Sequence, residues 1–214
     1  MTDGLPRDRG RVQATYDEIA AHFSKTRRTA WPEVETFLEG VPPGKLGLDV
    51  GCGNGRHLPG LLERVDRAIG LDLSRAMLLE ATAKLSPDTP AGLLMADAAG
   101  LPIAADAVDV ALSIATVHHL QDRGTRLEHF RELGRVLRPD GRALVSAWST
   151  THDRFDEPDG FDTTVDWTLP DGTTVPRFYH IYAPEEFAAD VEAAGLRVCD
   201  HSVSSGNCYA KVRP

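Results

Sequence analysis

Apolar positions recur along the chain in two rhythms, and the order in which they alternate predicts its elements. Tyr16, Ile19, Ala20 and Phe23 follow the i, i+3, i+4, i+7 spacing of one helical face, so Gln13 to Phe23 reads as an amphipathic helix laid on a core. A polar break follows at Ser24-Lys25-Thr26-Arg27-Arg28-Thr29. Trp31-Pro32 then opens a second helix, proline being well placed at a first helical position, and Val34, Phe37 and Leu38 carry it to Gly40. From there short apolar runs alternate with helical patterns. Strands are predicted at Leu46 to Val50, Ala68 to Asp72, Ala91 to Met95, Val108 to Ser113 and Ala143 to Trp148. Helices are predicted at Arg56 to Val65, Ser74 to Leu85, Leu120 to Leu137 and Pro184 to Ala194. Such alternation specifies an α/β fold with a parallel sheet and helices on both faces. Leu196 to His201 and Asn207 to Val212, joined through Ser204-Ser205-Gly206, close the chain as a hairpin. Residues 149–176 hold Pro158, Asp159-Gly160, Pro170 and Asp171-Gly172 with little periodicity and read as an inserted loop. The expected organisation is one domain over 1–214: an N-terminal helical extension (1–44), a core (45–148), an acidic insertion (149–176) and a C-terminal helix and hairpin (177–214).

The core begins with the stretch that carries most information, Leu-Gly-Leu-Asp-Val-Gly-Cys-Gly-Asn-Gly-Arg at Leu46 to Arg56. A strand ends in Gly51, Gly53 and Gly55 and runs into a helical pattern. Glycines in such a turn free the backbone conformation and let a ligand approach the main chain. A dinucleotide fingerprint spaces its glycines G-x-G-x-x-G to seat a pyrophosphate on a helix N-terminus. Here they alternate, and Asp49 precedes them. A carboxylate repels pyrophosphate but suits a ligand with an amino group and a sulfonium, which is S-adenosylmethionine. Asp72, followed by Leu73, ends the next apolar run and is placed to take both ribose hydroxyls; Asp97, followed by Ala98, and Ser113 complete the expected cofactor set at the carboxyl ends of strands. A lone acid there commonly caps the next helix; three in series with the glycines argue for a ligand site.

Composition adds limits. A hydrophobic content of 42% over 214 residues supports a real core. No apolar run reaches membrane-spanning length and Met1-Thr2-Asp3-Gly4-Leu5-Pro6-Arg7 lacks a signal-peptide core, so a cytoplasmic protein without membrane contact is expected. Cys52, Cys199 and Cys208 form no C-x-x-C pair, which argues against a disulfide framework or structural zinc. The net charge is −9, and only four of the 23 basic residues are lysine, a bias equally expected from a high-salt cytoplasm or a GC-rich genome. Any nucleic-acid partner must then meet a local patch. Residues 1–30 carry six basic residues against four acidic ones, whereas residues 150–172 carry seven acids against Arg154 alone. The basic end is the candidate RNA side.

The ordered series over roughly residues 45–148, with Leu137-Arg138-Pro139-Asp140-Gly141-Arg142 before the fifth strand, resembles the class I S-adenosylmethionine-dependent methyltransferases. That implies a Rossmann-like sheet of seven mostly parallel strands, with one antiparallel strand supplied by the closing hairpin. Four further pieces resemble the tRNA wobble-uridine 5-carboxymethyl methyltransferases: Tyr16 to Arg27, Trp31-Pro32, Ser113-Ile114-Ala115-Thr116-Val117-His118-His119, and Arg177-Phe178-Tyr179-His180-Ile181-Tyr182. The resemblance implies esterification of 5-carboxymethyluridine to its methyl ester, a tRNA substrate, and a small zinc-binding activator protein that pairs with the edge strand Ala91 to Met95, forming a heterodimer.

Methylating a carboxylate needs positioning rather than a base, because the nucleophile is ionised at neutral pH. Arg27 and Arg177 are the expected clamp, arginine's planar fork matching a carboxylate or phosphate; the alternative is contact with backbone phosphate alone. Trp31, Trp148 and Tyr179 are candidates to wall a dry pocket and stack on a flipped base, or else plain core. His118 and His119, adjacent in sequence, are expected to point apart, with His118 and similarly His180 bonding substrate and His119 binding a helix end; no metal-ligand spacing is present. The rival readings are a small-molecule carboxyl or O-methyltransferase on the same fold, and a non-catalytic cofactor-binding subunit.

Overall fold

The computed structural model describes residues 9–214. The part of the basic N-terminal count that falls on residues 1–8 lies outside the described residues. In chain order the elements are α1 (Arg9–Thr26), α2 (Pro32–Glu39), β1 (Gly44–Val50), α3 (Leu58–Leu62), β2 (Val65–Asp72), α4 (Arg75–Thr82), β3 (Ala91–Met95), β4 (Val108–Ile114), a 3-10 turn at Val117–His119, α5 (Arg123–Val136), β5 (Leu137–Trp148), β6 (Phe161–Thr168), β7 (Thr174–Ile181), α6 (Pro184–Ala193), β8 (Arg197–Ser204) and β9 (Asn207–Arg213).

Seven strands form one sheet in the order β3-β2-β1-β4-β5-β9-β8. The first five are parallel; β9 runs antiparallel to both β5 and β8, so the closing hairpin supplies a single reversed strand. The period-2 pleat sorts side chains to two faces. Ala111, Ala143 and Val145 pack with Phe130, Leu133, Phe187 and Val191 of α5 and α6. Val110, Leu112 and Leu144 pack with Val34, Phe37, Leu38, Leu58 and Leu61 of α2 and α3. Helices therefore cover both faces, and the carboxyl ends of the parallel strands are left for a site, as in other open α/β sheets.

Several boundaries differ from expectation. The helix after the glycine turn is one short piece, Leu58–Leu62, because β2 already begins at Val65. The boundary drawn between 44 and 45 falls inside β1. The larger correction concerns residues 149–176. Instead of an inserted loop, β6 pairs with β7 over eight residues, from Phe161↔Ile181 to Thr168↔Thr174. The line drawn at 176/177 thus cuts through β7. Alternation was present: Val165 and Trp167 are buried while Asp166 and Thr168 are exposed. Outward acids and Pro176, tolerated in a two-stranded ribbon with a free edge, masked the strands.

Candidate active site

The glycine turn is held from two sides. Gly51, Gly53 and Gly55 have φ of 71°, 52° and 73°. A Cβ on Gly51 would run into the side chain of Thr116, whose hydroxyl donates to Val50 O at 3.0 Å. Close approach and positive φ together require glycine there. On the other side, Asp72 Oδ2 accepts from Gly53 N and Oδ1 from Ser74 N, each at 2.8 Å. Ser74 also caps α4, its side chain accepting from Met77 N.

Helix α1 roofs this turn. Asp17 accepts from Ser74 Oγ at 2.6 Å and Ala76 N at 2.9 Å, fastening α1 to the start of α4. Asn54, buried within the turn, donates to Arg27 O at 2.8 Å and so fixes the point where α1 gives way to the polar break. The hairpin is fastened to α1 in turn, Trp167 Nε1 donating to His22 Nδ1 at 3.1 Å.

Between these parts lies one cavity. Gly51, Gly53, Asp72, Leu73, Asp97 and Ala98 line it, together with Arg27, Trp31, Trp148, Trp167, Arg177 and Tyr179. Arg177 lies 5.0 Å from the Trp167 ring centroid and 5.1 Å from that of Tyr179; Arg27 lies 5.4 Å from Trp167. These are cation–π distances. Among the described residues, no carboxylate lies within 4 Å of either guanidinium. Arg177 is buried, and its Nε has no partner. The cavity therefore holds two cations awaiting an anion.

Four of the expected site residues stand outside its walls. Asp49 is fully buried behind the turn with neither carboxylate oxygen hydrogen-bonded, and burial pushes its pKa up to about 7, against the pull of Arg56. Ser113 is turned away, bonded to His129 at 3.0 Å; the chain reaches the cavity at the next residue, through Ile114, Ala115 (φ 56°) and Thr116. His180 is held between Asp162 at 2.8 Å and Glu186 at 2.9 Å, joining β7 to β6 and α6. His118 sits behind the wall, its Nδ1 accepting from Trp148 N at 2.9 Å and its ring 4.6 Å from that of Tyr179. Burial holds its imidazole well below the ordinary histidine range, so it stays neutral.

His118 and His119 do not point apart. The 3-10 turn sets their rings edge to face at 4.4 Å. Nor does His119 bind a helix end: its Nδ1 donates to Phe178 O at 2.9 Å, which leaves Nε2 to accept from the Tyr16 hydroxyl at 2.7 Å. Tyr16, Phe23, Arg56, Thr116, His119 and Trp167 are lining residues to which the sequence reading assigns no site role. Tyr16 and Phe23 had been absorbed into a core-facing stripe, and Trp167 into the supposed loop.

Comparison with known proteins now bears on this geometry. Residues 48–145 match the methyltransferase domain family. Among solved structures, a DhpI complex with S-adenosylmethionine superposes with a TM-score of 0.75 at 20% identity, covering 100% of both chains. A Haloferax volcanii methyltransferase in complex with the Trm112 methyltransferase activator superposes with a TM-score of 0.71 at 18% identity, covering 94% of this chain and 96% of that one. Sheet order, glycine turn and domain match define a class I S-adenosylmethionine-dependent methyltransferase. The tRNA (carboxymethyluridine(34)-5-O)-methyltransferase of Schizosaccharomyces pombe is 31% identical over 224 residues, covering 92% of this chain and 93% of the relative. The chain belongs to that family. Other relatives with this name are longer, and the chain spans between 21% and 59% of the length of three of them.

The residues present fit the cofactor. Asp49, fully buried behind the turn, does not reach the cavity, so it would favour a cationic ligand there only through its charge and not by contact. Asp72, its two oxygens already aimed by Gly53 N and Ser74 N, has lone pairs left for a pair of ribose hydroxyls. Asp97 and Ala98 line the same cavity and would hold the base.

Proposed function

We propose that this chain transfers a methyl group from S-adenosylmethionine to the carboxylate of a 5-carboxymethyluridine at the tRNA wobble position, giving the methyl ester. The observation that carries this reading is the pair Arg27 and Arg177, unpaired by any described carboxylate and set against one tryptophan ring in the cavity that the glycine turn opens into. A carboxylate with a pKa near ~4 arrives ionised, so no side chain has to remove a proton. The neutral His118 fits that chemistry: it fixes the Trp148 backbone and supports Tyr179 instead of acting as a base. S-adenosylmethionine supplies an electrophilic methyl on a sulfonium. The carboxylate oxygen forms the new C–O bond as the S–CH3 bond breaks with its electron pair going to sulfur. The step removes one negative and one positive charge, and an aromatic, water-poor cavity favours it. Arg27 and Arg177 hold the carboxylate in line, while Trp31, Trp148 and Trp167 offer faces on which a flipped base can stack.

The rim supplies a path for RNA. Lys25, Arg27 and Arg28 are exposed around the end of α1. Arg27 links this exposed basic stretch to the cavity that it lines. The deciding experiment is methyl transfer to a tRNA whose wobble uridine carries the carboxymethyl group, against the same tRNA without it.

The partner reading rests on the sheet edge. The outer side of β3 has no strand partner among the described residues, and the turn before it bonds within itself, Thr89 N donating to Ser86 O. Leu94 and Met95 are 38% and 59% exposed, and Leu79 of α4 is 56% exposed. An apolar, uncharged edge is a template for strand addition. A small zinc-binding activator, as the resemblance implies, is the proposed occupant. Leu94→Asp should abolish co-purification with that activator while leaving the thermal unfolding of the isolated chain within about 2 °C, as expected for a surface change. Undiminished association would place the interface elsewhere.

A further inference from the structure

At the end of the sheet remote from the cavity, three arginines stand in one row. In β5, Ala143 lies opposite Val212 of β9, and in the closing hairpin Val198 and Arg197 lie opposite Val212 and Arg213. One step outward from Ala143 the same register brings Arg142 beside Arg213. Arg142, Arg213 and Arg197 therefore follow one another across β5, β9 and β8. Residues of one cross-strand row share a face of the sheet. Val212 packs into the core with residues of α5 and α6, so the row, offset from it by one residue, faces the other way, toward α2. Arg142 and Arg213 accordingly line a cleft of about 250 Å³ between these strands and the end of α2, with Lys211 beside them and Thr36 and Gly40 on its other side.

Such a row is unfavourable by itself. Like charges directly opposite one another on neighbouring strands, only ~4.8 Å apart, repel. Lys211 is neutralised by Asp200 at 2.8 Å. The three arginines are not: among the described residues no carboxylate lies within 4 Å of any of their guanidinium groups, and Arg142 Nε is buried without a hydrogen-bond partner. This happens in a chain of net charge −9, where acids are plentiful. An anion seated in the cleft would relieve the repulsion and occupy the orphaned donor. Guanidinium forks match phosphate oxygens, and a row two interstrand spacings long, ~10 Å, exceeds what a single phosphate group can span. We propose that Arg142, Arg213 and Arg197 bind consecutive phosphate groups, those of the tRNA backbone. The assignment takes its ligand from the tRNA reading of the cavity. Arg142 precedes Trp148 by six residues of β5, a separation of ~20 Å along the strand, so the row anchors the RNA away from the reacting nucleotide.

Arg213→Gln takes one cation from the middle of the row. Its tRNA binding should weaken about tenfold, the loss expected for a charge-assisted hydrogen bond, and the slope of log Kd against log salt concentration should fall by about 1, as for one lost phosphate contact. Arg131→Gln, which removes an exposed cation of α5, should bind tRNA within about twofold of the wild type. S-adenosylhomocysteine affinity within about twofold in both variants certifies that each is folded with its cavity intact. Calorimetry with inorganic tripolyphosphate separates the two sources of phosphate. A tRNA loss in Arg213→Gln alone assigns the row to the RNA backbone. A loss confined to tripolyphosphate assigns it to a free oligophosphate and overturns tRNA as its ligand. No loss for either, or an equal tRNA loss in Arg131→Gln, overturns the site. A wild-type chain that binds tripolyphosphate through the row but binds no tRNA overturns instead the tRNA reading of the cavity.

Discussion

Arg177→Lys lowers turnover by about 30- to 150-fold while S-adenosylmethionine affinity stays within about twofold; this is the largest effect expected of a single conservative change in the chain. The reason is geometric. Arg177 is buried between Trp167 and Tyr179, so its planar group is stacked and its fork is aimed. Lysine keeps one positive charge but loses the plane, the second donor and the stacking, a loss of about 2–3 kcal/mol for a bidentate contact at a desolvated site. Because the proposed clamp would act on the substrate carboxylate and not on the cofactor, the deficit is expected in kcat/KM for tRNA. Steady-state kinetics beside calorimetry on the same preparation checks both halves. Normal turnover in Arg177→Lys would mean that the carboxylate is held elsewhere, with Arg27 the next candidate.

Asp72→Ala produces the second large effect, a loss of about 2–3 kcal/mol in S-adenosylmethionine binding. Burial raises the Asp72 carboxyl above the usual carboxylate range, and the amides of Gly53 and Ser74 offset part of that. Both hydrogen bonds orient its remaining lone pairs toward the cavity. The substitution therefore removes a pair of acceptors for the ribose and loosens the turn. Asp72→Asn separates these contributions, since an amide keeps one acceptor and presents a donor where the other stood. Calorimetry that finds Asp72→Ala binding as tightly as the wild type would remove Asp72 from the cofactor site.

The parts of this site that were legible in the sequence are those where backbone and chemistry are locally coupled. A buried parallel strand must be apolar, its turn must be glycine where φ is positive, and the acids at strand ends are fixed by the strands themselves. Asp72, Leu73, Asp97 and Ala98, all on the cavity wall, are readable for that reason, while the place of β3 at the sheet edge is what the class I resemblance implies. Residues set by tertiary packing were not. Ser113 is not on the wall because the pleat turns it inward to His129, which leaves the lining role to Ile114, Ala115 and Thr116. His118 and His119 were expected to diverge as strand residues do, yet they lie in a 3-10 turn that brings their rings together. The β6–β7 hairpin carried its alternation openly in Val165 and Trp167, but its acidic outer face and Pro176 imitate a loop. Missing it also hid Trp167, the ring against which both clamp arginines lie.

The central claim is that the methyl group ends on a carboxylate oxygen of tRNA. Purified chain, with and without the proposed activator, is incubated with methyl-labelled S-adenosylmethionine and tRNA carrying 5-carboxymethyluridine at the wobble position; the recovered tRNA is then treated with mild alkali. An ester hydrolyses under those conditions, so the account predicts labelled tRNA that loses its label quantitatively as methanol, and no labelling of tRNA without the carboxymethyl group. Label that survives alkali, or that enters both tRNAs equally, would contradict it.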